Sequence, residues 1–135
     1  MNENQNLKIK HQNLNQNSKL EVRYRAFYLS IKIIKFLDSL PQKNSLRIIS
    51  NQLIRCVTSI GANIVEAKAA ASKREFLNYF QIALKSSNES KYWLAMFREL
   101  VPNKLKEINI FIKETDEISR IIGTSILTMK GKRHL

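Results

Sequence analysis

Residues that break or bend a backbone are scarce, with three Gly and two Pro among 135 residues. Sheet proteins need turn residues at regular intervals, so the shortage argues against many short strands and favours long helices. The single cysteine, Cys56, excludes an intramolecular disulfide. Its place in an apolar repeat gives it the character of a small buried hydrophobe rather than a nucleophile, and a reducing, cytoplasmic home fits. The two histidines, His11 and His134, fall near opposite ends of the chain, so no pair is spaced for zinc or for general-base work. A Gly-rich phosphate loop is missing as well. No stretch approaches the roughly 18 uncharged apolar residues of a membrane span, and no N-terminal run has the order of a signal peptide. These absences lead to the expectation of a non-enzymatic protein with no cofactor, no metal and no membrane partner.

Acidic residues are also in short supply. Against 23 Lys and Arg stand 11 Asp and Glu, giving a formal charge of +12 and a sequence pI near 10.0. Such a balance is the electrostatic footprint of a polyanion binder. The surplus is spread along the whole chain rather than gathered in one arm, so a basic surface has to be assembled by folding or by bringing copies together. Hydrophobic residues make up 44% of the chain, enough for the core of one domain of this length.

Residues 1–18 are rich in Asn and Gln, with only Leu7, Ile9 and Leu14 as apolar anchors. They read as a flexible tail preceding a bundle over residues 19–130, with a basic tail at 131–135. From Leu20 onward Tyr24, Phe27, Ile31 and Ile34 recur at helical spacing, and a second stripe of Val22, Ala26, Leu29, Ile33, Phe36 and Leu40 lies roughly 200° around the same helix. One face suffices for the core of a four-helix bundle, so the second needs another surface, most simply a neighbouring subunit. Pro41 ends this helix. A second stripe-bearing helix runs from Leu46 through Ile49, Leu53, Val57, Ile60 and Ile64 to about Ala70, with Arg55, Ser59, Asn63 and Glu66 on the other side. Ser72-Lys73-Arg74-Glu75 is a capping box that opens a third helix, whose inward residues are Phe76, Phe80, Ala83, Ser87, Leu94 and Phe97. Ser86, Ser87 and Ser90 keep its middle thin. After Val101-Pro102-Asn103 a fourth helix carries Leu105, Ile108, Ile112, Thr115, Ile122, Ile126 and Met129. The fold expected is all-α, an antiparallel up-down-up-down four-helix bundle.

Glu66 and Glu89 are the carboxylates placed where a bundle can hold a metal, but the Glu-x-x-His partners of such sites are missing. Both are expected to pair with Arg55, Arg74 or helix-end amides. The adjacent Tyr92 and Trp93 form either a stacking platform for bases or, for at least one ring, part of the core.

Several segments together, Arg55-Cys-Val-Thr-Ser-Ile-Gly-Ala-Asn-Ile-Val-Glu66, Ser72-Lys-Arg-Glu-Phe76, Ile82-Ala-Leu84 and Glu89-Ser-Lys-Tyr-Trp-Leu94, resemble one family. It is named after proteins encoded within intervening sequences of 23S ribosomal RNA genes, and it includes the accessory variability protein of diversity-generating retroelements. The likeness spans about residues 20 to 130. This chain departs from the commonest pattern by carrying Gly61 where many members have Pro and Glu66-Ala67 where many have Glu-Gly. The resemblance implies an antiparallel bundle assembling as a ring, typically a homopentamer, with a basic surface for nucleic acid. In the retroelement branch it implies RNA and a reverse transcriptase as partners.

The combined expectation is an oligomeric, RNA-binding bundle in which Arg23, Arg25, Lys32, Lys35, Arg47, Lys73, Arg74, Lys132 and Arg133 contact phosphates. Arg55, Ser59, Asn63, Glu66 and Glu89 are the polar positions of the motif. The alternative is a protein-interaction scaffold of the same fold with no direct role for nucleic acid.

Overall fold

The computed structural model describes residues 21–41 and 43–131. The Asn/Gln-rich segment 1–18 and the basic residues Lys132 and Arg133 lie outside the described residues. Four α-helices follow one another: α1 (Val22–Asp38), α2 (Asn44–Lys68), α3 (Lys73–Leu100) and α4 (Leu105–Met129), with a 3₁₀ turn at Pro102–Lys104. Each helix packs on its neighbours in sequence, and α1 packs on α4, closing a ring of four. Short links force antiparallel neighbours. Thus Gly61 of α2 lies against Ala26 of α1, while Ser30, one turn further along α1, lies 3.1 Å from the carbonyl of Val57, one turn back along α2.

Helix boundaries follow local chemistry. Ser72 adopts an extended backbone and its hydroxyl accepts from the Glu75 amide at 3.1 Å, the cap anticipated for α3. Pro102 occupies the first position of the 3₁₀ turn, where its missing N–H costs nothing. Gly131 ends α4 with φ of 68°, the left-handed conformation that glycine adopts without a Cβ penalty.

The core consists of one residue stripe from each helix. On α1 the inward stripe is Ala26, Leu29, Ile33 and Leu37, with Leu40 just beyond, and Tyr24, Phe27, Ile31 and Ile34 are turned outward. The stripe on α2 is Leu53, Val57, Ile60, Ile64 and Ala67, while Leu46 and Ile49 are only partly covered. On α4 the buried line runs through Ile108, Phe111, Thr115, Ile118, Ile122 and Ile126. Leu105, expected to begin that line, is exposed, and Ile112 is half-buried. Phe111 takes the inward place instead and meets Phe36 of α1 edge to face with ring centroids 5.4 Å apart. The reason is geometric: α1 and α3 flank α4 on two sides, so its buried arc centres on Ile118, and Leu105 falls far around the helix from it.

The middle of α3 is thin. Ala83, Ser87 and Ser90 are fully buried, and Cys56 of α2 faces them. The serine hydroxyls donate within their own helix, Ser87 to the Leu84 carbonyl at 2.7 Å and Ser90 to the Ser86 carbonyl at 2.8 Å, so close helix approach leaves neither unsatisfied.

Glycines test this packing. Nothing lies within 4 Å of a Cβ added at Gly123 on α4, so Gly123→Ala should stabilise the fold by about 0.5–1 kcal/mol through helix propensity, seen as a melting temperature a few degrees higher. A Cβ at Gly61 would meet the Ala26 methyl at 3.5 Å. Gly61→Ala should therefore be tolerated, and Gly61→Leu should lower the melting temperature by forcing α1 away from α2.

Candidate interaction surfaces

Three arrangements of polar and apolar side chains outside the core are built by the bundle. The first closes α1 onto α4. Arg25 is 4% exposed and its guanidinium reaches across to Glu114 and Glu117, with Nε donating to Glu114 at 3.1 Å. The Glu114 carboxylate, with Glu117 beside it, holds the guanidinium charged against the cost of burial, and the pKa of Arg25 is raised. Arg25 is thus a correction to the set of phosphate contacts expected from sequence: it lies inside, engaged by two carboxylates of its own chain.

The second is a polar seam between α2 and α3. Ser86 donates to the Ser59 hydroxyl at 2.9 Å, and the Asn63 amide donates to the carbonyl and hydroxyl of Ser59 at 2.8 and 2.9 Å. One to two turns along, Arg55 pairs with Glu89 and donates to Gln52 at 3.2 Å, while the Trp93 indole N–H donates to Glu89 at 3.1 Å. Four of the five motif positions, Arg55, Ser59, Asn63 and Glu89, therefore meet along one seam, and Glu89 finds the Arg55 partner anticipated for it. Glu66 does not join them. It is exposed and lines a groove on the α1 side of α2. Trp93 is packed against the core and Tyr92 is 60% exposed, the two rings meeting edge to face at 5.0 Å. Inside the seam, burial pushes the Cys56 thiol pKa up, opposed by the Ser90 hydroxyl 3.2 Å away. The thiol is fully covered, as its apolar position implied.

The third is apolar. A groove of about 450 Å³ runs between α1 and α2, lined by Phe27, Ile31 and Ile34 from α1 and by Thr58, Ala62 and Val65 from α2. Phe27 and Val65 remain 47% and 56% exposed. The α1 half of this face is the stripe of Tyr24, Phe27, Ile31 and Ile34, the first of the two read from the sequence. The α2 half was not anticipated: Thr58, Ala62 and Val65 are exposed at helical spacing, but small side chains give a weak periodic signal beside the strong inward stripe. Arg23 sits at the rim, paired with Glu21 at 3.2 Å and stacked over Tyr24 at 4.9 Å.

Of the remaining expected cations, Lys35, Arg47, Lys73 and Arg74 are exposed and Lys32 is half-buried. They do not form one cluster: Lys35 and Arg47 lie near the end of the bundle that carries the α1–α2 link, and Lys73 and Arg74 open α3 at the opposite end. Among the described residues no group of three or more His, Cys, Asp or Glu is placed to hold a metal ion, and no helix is long and apolar enough to cross a membrane.

A closed antiparallel four-helix bundle with a small-residue waist and a polar α2/α3 seam defines the class of protein, and comparison with known proteins narrows it. The family model described as 23S rRNA-intervening sequence protein matches residues 18–124, and this chain belongs to that family. Among solved structures it resembles a crystal structure of a protein of unknown function from the S23 ribosomal protein family of Bacteroides thetaiotaomicron VPI-5482. The two share 29% identity with a TM-score of 0.72, over 78% of this chain and 98% of the other. No curated protein matches.

Removing the buried clamp should cost far more than removing the exposed one. Arg25→Ala strands two carboxylates at the α1/α4 contact and should destabilise by about 3 kcal/mol, the low end for a buried pair because Glu117 is partly hydrated. Arg25→Lys should not restore this, since an ammonium cannot span both acids as a guanidinium does. Arg55→Ala, at a 60% exposed side chain, should cost less than about 1 kcal/mol in chemical denaturation. For Cys56 the raised folded pKa means that its contribution to stability is complete at neutral pH and is lost as pH rises past the ordinary thiol range. A thiol reagent should label the native protein only at the rate of unfolding.

Proposed function

We propose that this protein is a non-enzymatic, self-associating basic bundle that binds nucleic acid, RNA foremost, through phosphate contacts. The observation that carries the reading is a surface divided between one uncovered apolar face and many exposed cations. Phe27, Ile31, Ile34, Ala62 and Val65 form a contiguous apolar groove of the kind that marks a protein interface. The charge of +12 makes a monomer basic and an assembly of several copies strongly so. Self-association through the α1/α2 groove covers the apolar face and gathers the charge of several chains into one surface. The homopentamer implied by family likeness is one such assembly.

Light scattering tests both halves. The protein should run as a discrete multiple of the 15.7 kDa chain, five times that mass if it is the pentamer. Replacing Phe27 and Val65 with Asp should give a folded monomer, because both side chains lie outside the core. Adding a mixed RNA pool at 50 mM salt should raise the mass further, and about 200 mM salt should largely reverse this, as expected when bound phosphates release counterions. An oligomer indifferent to RNA at both salts, with capture of a protein such as a reverse transcriptase that survives nuclease, assigns the fold a scaffold role instead.

A further inference from the structure

The bundle has two unlike ends. The α1–α2 and α3–α4 links share one end, and the α2–α3 link lies at the other. At the first end Lys35, Lys43, Arg47, Arg98 and Lys106 are exposed and Lys104 is half-buried, and none of the six makes an ion pair with a described residue. Neighbouring helix axes in bundles lie 8–10 Å apart, so these charges share a face about 20 Å across; at physiological salt, where the Debye length is about 8 Å, adjacent cations still reinforce one another while the far edges are screened, and at low salt the whole face acts together. Asp38, Glu99 and Glu107 are on the same end and leave a positive surplus.

Lys35 and Arg98, in the last turns of α1 and α3, suit the dipoles of their helices, whereas the lysines at the helix starts do not. Lys43 and Lys104 are the N-cap residues of α2 and α4, neither makes a side-chain cap, and α2 has no acid in its first turn. A cation there opposes the positive end of the helix dipole. Lys43 has φ of −85° and ψ of 166°, in the same extended region as Ser72, which caps α3 with φ of −141° and ψ of 160°. The backbone at Lys43 is thus ready for a capping side chain, and the sequence supplies one that cannot accept a hydrogen bond. At the opposite end, by contrast, α1 starts after Glu21 and α3 carries both the Ser72 cap and Glu75 in its first turn.

We infer that the end bearing the α1–α2 and α3–α4 links is the phosphate-contacting face for RNA, with Lys35, Lys43, Arg47, Arg98, Lys104 and Lys106 as its contacts. This rests on the nucleic-acid reading above and narrows it: four of the six residues were not among the contacts expected from sequence, and Lys73 and Arg74 at the other end are left out. The cationic face as a whole carries the inference, and the uncapped start of α2 shows that charge has been placed there against helix stability.

The test is fluorescence anisotropy of a labelled single-stranded RNA of about 20 nucleotides, titrated between 50 and 200 mM salt, with thermal melts of every variant. The combined Lys43→Glu, Arg47→Glu and Lys104→Glu variant should bind more than about tenfold more weakly at 50 mM salt, with a log-log salt slope shallower by about 0.7 per lost contact. Lys73→Glu with Arg74→Glu should stay within about twofold of the parent. Lys43→Asp alone should melt a few degrees higher while binding RNA more weakly, opposite signs that loss of a structural contact would not produce. Equal losses in the two multiple variants would overturn the assignment to one end and leave RNA binding intact. No binding by the parent protein at 50 mM salt would remove the nucleic-acid reading itself. Displacement of RNA by polyglutamate at equal charge concentration would make the face a site for acidic protein and likewise overturn the inference.

Discussion

The close approach of α2 and α3 is the constraint on which the rest of the bundle depends. Cys56, Ser59, Ala83, Ser86, Ser87 and Ser90 give the pair a thin waist, and the larger Leu53, Ile64, Phe80, Leu94 and Phe97 fill the core above and below it. A hydroxyl can occupy such a waist only if it is hydrogen-bonded, and the intrahelical carbonyls of α3 meet that requirement without help from solvent. Once this pair is set, the remaining helices have little freedom. α4 lies on the α3 side with Lys91 bridging to Asp116 at 3.2 Å, and α1 closes the ring by the Arg25 clamp and by the contact at Gly61.

This hierarchy explains what was legible in the sequence. Helix number, order, links and the α3 cap are local properties, and the apolar spacing together with Pro41, Ser72 and Pro102 announced them. Both stripes of α1 were visible for the same reason. Which stripe faces inward was not visible, because that depends on how α1 is rotated against α2 and α4. The fate of Arg25 was hidden more deeply: its partners are 89 and 92 residues away, and only the register of α1 on α4 brings them together. Leu105 misled because helical spacing alone does not fix where the buried arc of α4 is centred. The seam of Arg55, Ser59, Asn63 and Glu89 was readable as a polar line on one helix and a carboxylate on another, and their union required the antiparallel register. Glu66 shows the limit of such a line: at the far end of it, the side chain belongs to a different surface.

Surface properties divide along the same geometry. The apolar groove occupies the α1/α2 side, the ion pairs of Lys91 and Arg120 with Asp116 occupy the α3/α4 side, and at the end bearing the α1–α2 and α3–α4 links stand six cations without an ion pair to a described residue. A molecule arranged in this way can meet a protein laterally and a polyanion axially without the two contacts competing for the same side chains. Family membership and the likeness to a crystal structure of unknown function agree with the fold, while the distribution of side chains gives the fold a direction.

Trp93 is the only tryptophan in the chain, and it straddles the α2/α3 seam with its indole N–H on Glu89 and its ring against the core. The protein therefore carries an intrinsic optical reporter of its most important helix pair. Indole emission shifts to longer wavelength as water replaces the seam, so the fluorescence of the unmodified chain reads the separation of α2 from α3.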